Sequence, residues 1–391
     1  MPPPSLHRTV RSLGLVSLLT DASSEMIYPL LPAFLTGTLR AGPAFLGAVE
    51  GLAETVAATV KIVSGRISDR LPRRKPLVVA GYALSSLVRP LVALATVPGH
   101  VLAVRVLDRV GKGVRGAPRD ALLAEVVPPS DRGRAFGFQR AMDHAGAMVG
   151  PLLASAALLL TSDLRVVFAL AAVPAALAVA ALVWGVREEP RPAGPRADAP
   201  PASGGSSLEP ALVRYLGVLA LFTLGNSSDA FLLLRAQEAG VVLAALPALW
   251  ALFHLVKAGA STWGGALSDR VGRRRAILLG WGVYATSYAG FAVAGSPLQV
   301  AFLFAFYGLF HALTEGAERA LVADLAGGPT RGRAFGLFHA VTGAALLPAS
   351  LLTGVLWQRF GAPLALATGG GLATLAAVGL LVLVPEPARR S

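Results

Sequence analysis

Apolar residues along this chain come in blocks of 20 or so positions, far longer than the five or six of a strand, and turn residues separate the blocks. Blocks at about 12–36, 43–65, 76–97, 100–124, 135–160 and 165–186 are each long enough to cross about 30 Å of hydrocarbon as a helix. A second six follows at about 212–235, 242–266, 276–295, 298–322, 334–357 and 362–384. Between the two sets lies a stretch from Glu188 to Pro210 rich in Pro, Ala, Gly and Ser, which reads as a flexible linker. The pattern predicts an all-α integral membrane protein of twelve spans: residues 1–187 as one six-helix bundle, 188–210 as a cytoplasmic linker and 211–391 as a second bundle.

Two duplicated motifs make the halves copies of one unit. RGRAFG occurs at Arg132–Gly137 and again at Arg331–Gly336. Upstream of each copy stands a basic string, GRISDRLPRRK from Gly65 to Lys75 and GALSDRVGRRR from Gly265 to Arg275. The offset of about two hundred residues is too long for a solenoid or propeller, whose units run to roughly 20–50 residues. Two halves in the same orientation, with pseudo-two-fold symmetry, are how transporters build a site between repeats.

Composition names the solvent. With 54% hydrophobic residues, 15% charged residues and a mean hydropathy of +0.62, a soluble globule would lack polar surface. The net charge of +13 and pI near 11.0 raise the question of nucleic acid. Placement excludes it: Arg8 and Arg11, Arg66 to Lys75, Arg132 and Arg134, Arg187 to Arg214, Arg270 to Arg275, Arg331 and Arg333, and Arg389 and Arg390 fall on alternate loops. This positive-inside pattern predicts a multi-pass protein of the cell membrane, in contact with the lipid bilayer, with both termini cytoplasmic. The absence of cysteine removes disulfides and thiolate metal sites. The first apolar run carries Asp21 and Glu25 and lacks a small-residue cleavage site, so it reads as a retained span.

The loop after the second span, with Gly65, Asp69, Arg70, Arg73 and Arg74, resembles that of the major facilitator superfamily, whose signature there is Gly-x-x-x-Asp-Arg-x-Gly-Arg-Arg. The second copy meets it in full through Gly265, Asp269, Arg270, Gly272, Arg273 and Arg274, whereas the first has Pro72 where Gly is usual. The resemblance implies that fold, alternating access of the two bundles around a central site, a monomer, and a gating role for these loops. On this reading Asp69 and Asp269 sit at the N-terminus of a neighbouring helix while the arginines bridge to acids or lipid phosphates. In the fifth span Gly137, Gly146, Gly150 and Pro151 are similar to the superfamily's exporter motif, although Ala154 and Ser155 replace its closing glycines. That likeness points to a drug/proton antiporter, against the plainer reading of a Gly-rich packing face.

Charges inside the membrane carry the candidate chemistry, because each costs roughly 2.5–3.5 kcal/mol at a helix centre. In the fourth span Arg105, Asp108, Arg109 and Lys112 fall on one helical stripe, which has to face protein or a watery cavity. The second span offers Glu50 and Glu54, the first Asp21, Glu25 and Tyr28, and the fifth Arg140, Asp143 and His144. The second half is sparser, with Asp229 echoing Glu25 and with His311 and Glu315 in the tenth span. Unpaired acids in an apolar site bind and release protons near neutral pH, which makes Glu25, Glu50, Glu54 and Asp108, then Asp21, the proton-coupling candidates. The remaining charged and polar groups are substrate-binding candidates. Arg105, Arg109 and Lys112 in particular offer an anion dock, and the resemblance implies that Arg109 assists proton transfer. Overlaying the RGRAFG strings sets Lys112 opposite His311 and Arg119–Asp120 opposite Glu318–Arg319 with signs reversed. Asp120, Glu125 and Asp324 are therefore expected to tie to the gating loops.

Three readings follow: a proton-coupled exporter of a small solute, a proton-coupled importer of an organic anion, and a membrane-embedded enzyme or sensor. The last has little to stand on, since no HExxH, GxSxG or P-loop string occurs. No cofactor is called for, and His311 with Glu315 is too slight for a metal site.

Overall fold

The computed structural model describes residues 7–128, 131–188, 209–326 and 331–386, and within these all regular structure is helical. The helices of the first half are Arg8–Ile27, Pro43–Arg70, Lys75–Val88, Pro98–Glu125, Arg132–Thr161, and the pair Leu164–Leu170 and Ala172–Gly185. Those of the second are Pro210–Gly225, Ala230–Glu238, Leu246–Val271, Arg273–Val293, Pro297–Leu325, Arg331–Phe360 and Ala362–Leu383. Apart from Glu188 and the residues at 209–210, the predicted linker lies outside the described residues.

Among the described residues nine helices are long and apolar enough to cross a membrane. The predicted spans at 12–36, 43–65 and 100–124 are helical too, but they carry the buried charges or are irregular. Leu87, Leu94, Leu159, Leu160, Trp184, Leu298 and Phe302 stand out from the surface, as lipid-facing side chains do.

Several predicted spans are not single α-helices. After Ile27 the first continues as a 3-10 turn Tyr28–Leu30 and a π-turn Phe34–Thr38, because Pro29 and Pro32 lack an amide hydrogen and crowd the preceding turn. Pro90 does the same to the third span, where a 3-10 segment Arg89–Leu94 follows Val88. The seventh, expected to be continuous over 212–235, unwinds at Asn226-Ser227-Ser228-Asp229. These short polar side chains compete for backbone hydrogen bonds, and the freed Gly225 carbonyl accepts from Tyr284 OH at 2.8 Å. Unwound backbone at this depth needs such partners or a wet cavity.

The second half repeats the packing of the first. Arg8–Ile27 packs on Arg132–Thr161 and Ala172–Gly185, just as Pro210–Gly225 packs on Arg331–Phe360 and Ala362–Leu383. Pro98–Glu125 lies against Pro43–Arg70 and Lys75–Val88, as Pro297–Leu325 lies against Leu246–Val271 and Arg273–Val293. The halves meet where Pro43–Arg70 packs on Arg331–Phe360 and Arg132–Thr161 on Leu246–Val271. Glycines permit the closest approaches: a Cβ on Gly150 would strike the Ala22 carbonyl, and one on Gly47 the Ser350 carbonyl.

Candidate functional site

A cavity of about 260 Å³ lies between the halves, lined from the first by Tyr28, Glu50 and Glu54 and from the second by the unwound segment Asn226–Asp229, Tyr307, His311, Leu346 and Ser350. The breaks in the first and seventh spans thus fall at the same place. A larger hollow of about 350 Å³ near Thr36, Pro43 and Glu238 holds none of the predicted stripe residues.

Three members of the predicted stripe, Arg105, Asp108 and Arg109, are buried and paired. Glu50, 2% exposed, receives Arg105 through Nε at 3.1 Å and through Nη2 at 2.8 and 2.9 Å. Arg109 Nε lies 2.9 Å from Glu54 Oε1, and its Nη1 lies 3.6 Å from Asp108 Oδ2. Asp108, also 2% exposed, is held mainly by Arg89, whose Nη2 and Nε lie 2.9 and 3.3 Å from Oδ1 while Nη1 donates to the Thr20 carbonyl at 3.1 Å. Behind it Arg115 donates to Ser85 Oγ at 2.7 Å and its guanidinium lies 4.4 Å from the Tyr82 ring centroid.

These contacts correct two expectations. Glu50, Glu54 and Asp108 are not unpaired acids, and Arg105 and Arg109 are not open anion docks, because each charge has found its opposite on a neighbouring helix. Burial demands this, since an isolated charge in a low-dielectric interior is far costlier than a hydrogen-bonded pair. Lys112 differs: it is exposed, with Glu54 and Asp21 as its acidic neighbours, and no ion pair engages it among the described residues.

Two acids on the cavity side are held by neutral donors. Glu25 Oε2 accepts from Trp250 Nε1 at 2.6 Å, a bond between the halves. Asp229 Oδ1 accepts from Tyr307 OH at 2.7 Å. Tyr28 joins the groups, its hydroxyl 3.3 Å from Ser228 Oγ, which in turn lies 3.4 Å from Glu50 Oε2. The Tyr28 ring lies 5.2 Å from Trp250 and 5.5 Å from the Arg105 guanidinium. Asp21 has Asp143, Glu25, Arg115 and Lys112 as charged neighbours.

Other predicted residues lie apart. Arg140 is 64% exposed and 4.0 Å from Asp143, which also receives Gln139 at 3.4 Å. Glu315 pairs with Lys257 at 3.2 Å, with His144 in the same electrostatic neighbourhood. His311 reaches the cavity among Phe253, Tyr307 and Phe310, and its Nε2 is unpartnered.

The loop motifs form ion-pair clusters within their own halves. Arg74 Nη2 meets Asp69 at 3.2 Å and Nη1 meets Glu125 at 2.5 Å. In the second copy Arg273 meets Asp269 and, at 3.8 Å, Asp324, while Arg274 meets Glu386 at 3.1 Å. Glu125 and Asp324 thus tie to the loops as expected. Asp120 does not: it is taken by its chain neighbour Arg119 at 2.9 Å, the shortest reach available. Nor does Asp69 cap a helix. The amides of Arg74 and Lys75 at that helix start donate to Glu188, both at 2.7 Å, a carboxylate that the reading of 188–210 as linker passed over. Gly272 has φ of +101°, so the helix restarts at once at Arg273; Pro72, fixed near −65°, cannot follow, and the first copy delays its restart to Lys75. Gly65 makes only ordinary contact with Ala117, and Gly265 meets open space.

Arg89, Trp250, Tyr307 and the Asn226–Ser228 break are positions at the candidate site, or pairing with it, that sequence reasoning missed. Arg89 carried a readable signal, a lone cation inside an otherwise apolar span. Trp250 and Tyr307 carried none, since aromatic residues are common in any membrane helix.

Comparison with known proteins agrees with this architecture. The family model for the Major Facilitator Superfamily matches residues 13–253 and 230–391. An uncharacterised MFS-type transporter of Methanocaldococcus jannaschii is 37% identical over 90% of this chain and 89% of its own length. Multidrug resistance protein MdtH of Photorhabdus laumondii is 32% identical over 39% of each chain. Among solved structures, a POT family transporter in complex with 5-aminolevulinic acid superposes with a TM-score of 0.82 at 11% identity, covering 98% of this chain and 97% of that one. The inward-facing, unoccupied bacterial homolog of the lysosomal transporter Spinster gives 0.72 at 16%, covering 96% and 95%. The chain is a multi-pass membrane protein that belongs to the major facilitator superfamily, a family of transporters and not of enzymes.

Proposed function

We propose that the protein is a proton-coupled exporter of a small solute across the cell membrane, in which twelve helices in two bundles of six, with both termini cytoplasmic, alternate access to the cavity between them. The observation that carries this reading is the pair Glu25 and Asp229, each held by a neutral aromatic donor and not by a cation. Such an acid can exchange a proton without stranding a buried arginine, which protonation of Glu50, Glu54 or Asp108 would do. Glu25 also bridges the halves through Trp250, so its proton occupancy bears on their relative position. Export finds support in the tight seating of Gly146 and Gly150 on the first span and in the partial likeness to MdtH.

The test uses sealed proteoliposomes with an internal pH dye, exposed to a panel of organic anions, cationic drugs and sugars. Solute-dependent proton movement opposite to solute flux is expected, and it should be lost in Glu25→Gln, where the amide oxygen can still accept from Trp250. No proton movement with any solute that moves, or an unaltered response in Glu25→Gln and Asp229→Asn alike, would remove proton coupling.

A further inference from the structure

We infer that the solute is a small protonated amine and that Asp229 is its anchoring residue; this rests on the transport reading above and names the substrate class of that site. Charge accounting comes first. Of the three carboxylates lining the cavity, Glu50 is neutralised by Arg105 and Glu54 by Arg109. Asp229 has no ion pair among the described residues, only the Tyr307 hydroxyl on one oxygen. The cavity is therefore short of one positive charge.

The walls fit that charge. Tyr28 and Tyr307 flank the space with aromatic surface, Tyr28 backed by Trp250 and Tyr307 stacked on Phe253 with ring centroids 5.4 Å apart. Aromatic faces attract ammonium groups and do nothing for carboxylates. Polar groups complete the wall. Ser227 is 4% exposed and lines the same cavity, where its hydroxyl faces the Tyr288 hydroxyl and keeps a lone pair that a ligand N–H can use. With Asn226, Ser228 and Ser350 beside it, the site offers hydroxyl and amide groups for a hydroxylated or amide-bearing amine.

Size narrows the class further. A volume of about 260 Å³ is too large for a bare metal ion and falls below the roughly 300–1,000 Å³ of drug-sized pockets. Ionisable groups around Asp229 include Lys257 from the eighth span, Glu25 and Tyr28 from the first, Glu50 from the second, Tyr284 and Tyr288 from the ninth, and Tyr307 and His311 from the tenth, the last across the same cavity. Lys257 is itself paired with Glu315, so it does not take the place of the ligand. One carboxylate that holds either a proton or an ammonium group, never both, gives exchange of one for the other.

The experiment is isothermal titration of the full chain in detergent with glucosamine, ethanolamine, putrescine and tyramine, set against glucose and glucuronate, which match glucosamine in shape but differ in charge. At least one amine should bind saturably, weaken as the medium is acidified, and lose tenfold or more affinity in Asp229→Asn. Ser227→Ala should weaken the same amine severalfold, and Asp229→Glu should restore part of the loss; these two keep the test decisive if the Asn variant elutes as an aggregate. No amine binding, glucuronate binding in preference, equal affinity in Asp229→Asn, or a saturable heat from NaCl but not KCl that matches the amine's and is lost in Asp229→Asn overturns the inference. Binding needs no gradient, so amine binding without proton-linked flux would sink the exporter reading alone. Proton-linked flux of glucuronate would sink the substrate class alone.

Discussion

Arg105 and Glu50 share three short contacts at full burial, and a pair of this kind constrains stability more than function. Removing one partner leaves the other charged in a low-dielectric interior, a loss of about 3–5 kcal/mol. Glu50→Gln and Arg105→Gln are each expected to lower the melting midpoint in detergent, and the double variant to melt above both. Independent, additive losses would mean that the pair is not coupled. The same logic explains Arg89, which the fourth-span stripe required and which sits on the third span. The stripe was legible from spacings of three, four and seven. Its partners were not, because no local rule says which neighbouring helix supplies the opposite charge.

At the scale of the element, glycine separates contact from composition. Gly146 and Gly150 on the fifth span have the backbone of the first directly against them, so an added methyl has to push the helices apart. Gly137, from the same motif, has nothing within 4 Å. Gly146→Ala and Gly150→Ala are expected to destabilise by about 1–3 kcal/mol, and Gly137→Ala to stay within about 0.5 kcal/mol of the parent. Thermal melting with transport assays checks this, and equal losses at all three would refute the packing account. Helix existence followed from the length of the apolar runs. Interruptions followed only in part: prolines at 29, 32 and 90 announce irregularity, whereas the break at Asn226–Asp229 has no proline, and its polar groups are stable there because a cavity and Tyr284 receive them.

For the whole molecule, the bonds joining the halves include Ala44 N to Gln358 at 3.3 Å, Thr55 to the Gly343 carbonyl at 3.4 Å, and Trp250 to Glu25. In both loop motifs, by contrast, the acid pairs within its own half, and Asp69 is 69% exposed. Of the bonds between the halves, Ala44 N to Gln358 joins them at the end away from the motifs. Since the chain has no cysteine, Ala44→Cys with Gln358→Cys gives a clean pair of sites. A short bismaleimide should link them and arrest transport while leaving binding intact; continued transport in the linked protein would show that this end does not open. Asp69→Asn should slow turnover with affinity little changed. A collapse of affinity at normal exchange rates would mean that the loop acts on the site and not on the gate.

By itself the sequence determined the solvent, the helical spans and the duplication, because apolar run length, charge placement and repeated strings are all properties of order along the chain. It also determined that charges on the second and fourth spans must face inward. Only the tertiary structure decided which of those charges are mutually satisfied and which are left over. Glu50, Glu54 and Asp108 are identical in type to Glu25 and Asp229, and they differ only in whether another helix brings an arginine or an aromatic hydrogen-bond donor within 3 Å. That difference is set by packing between residues far apart in the chain, and in a low-dielectric interior it separates a structural ion pair from a group free to bind a proton or a ligand.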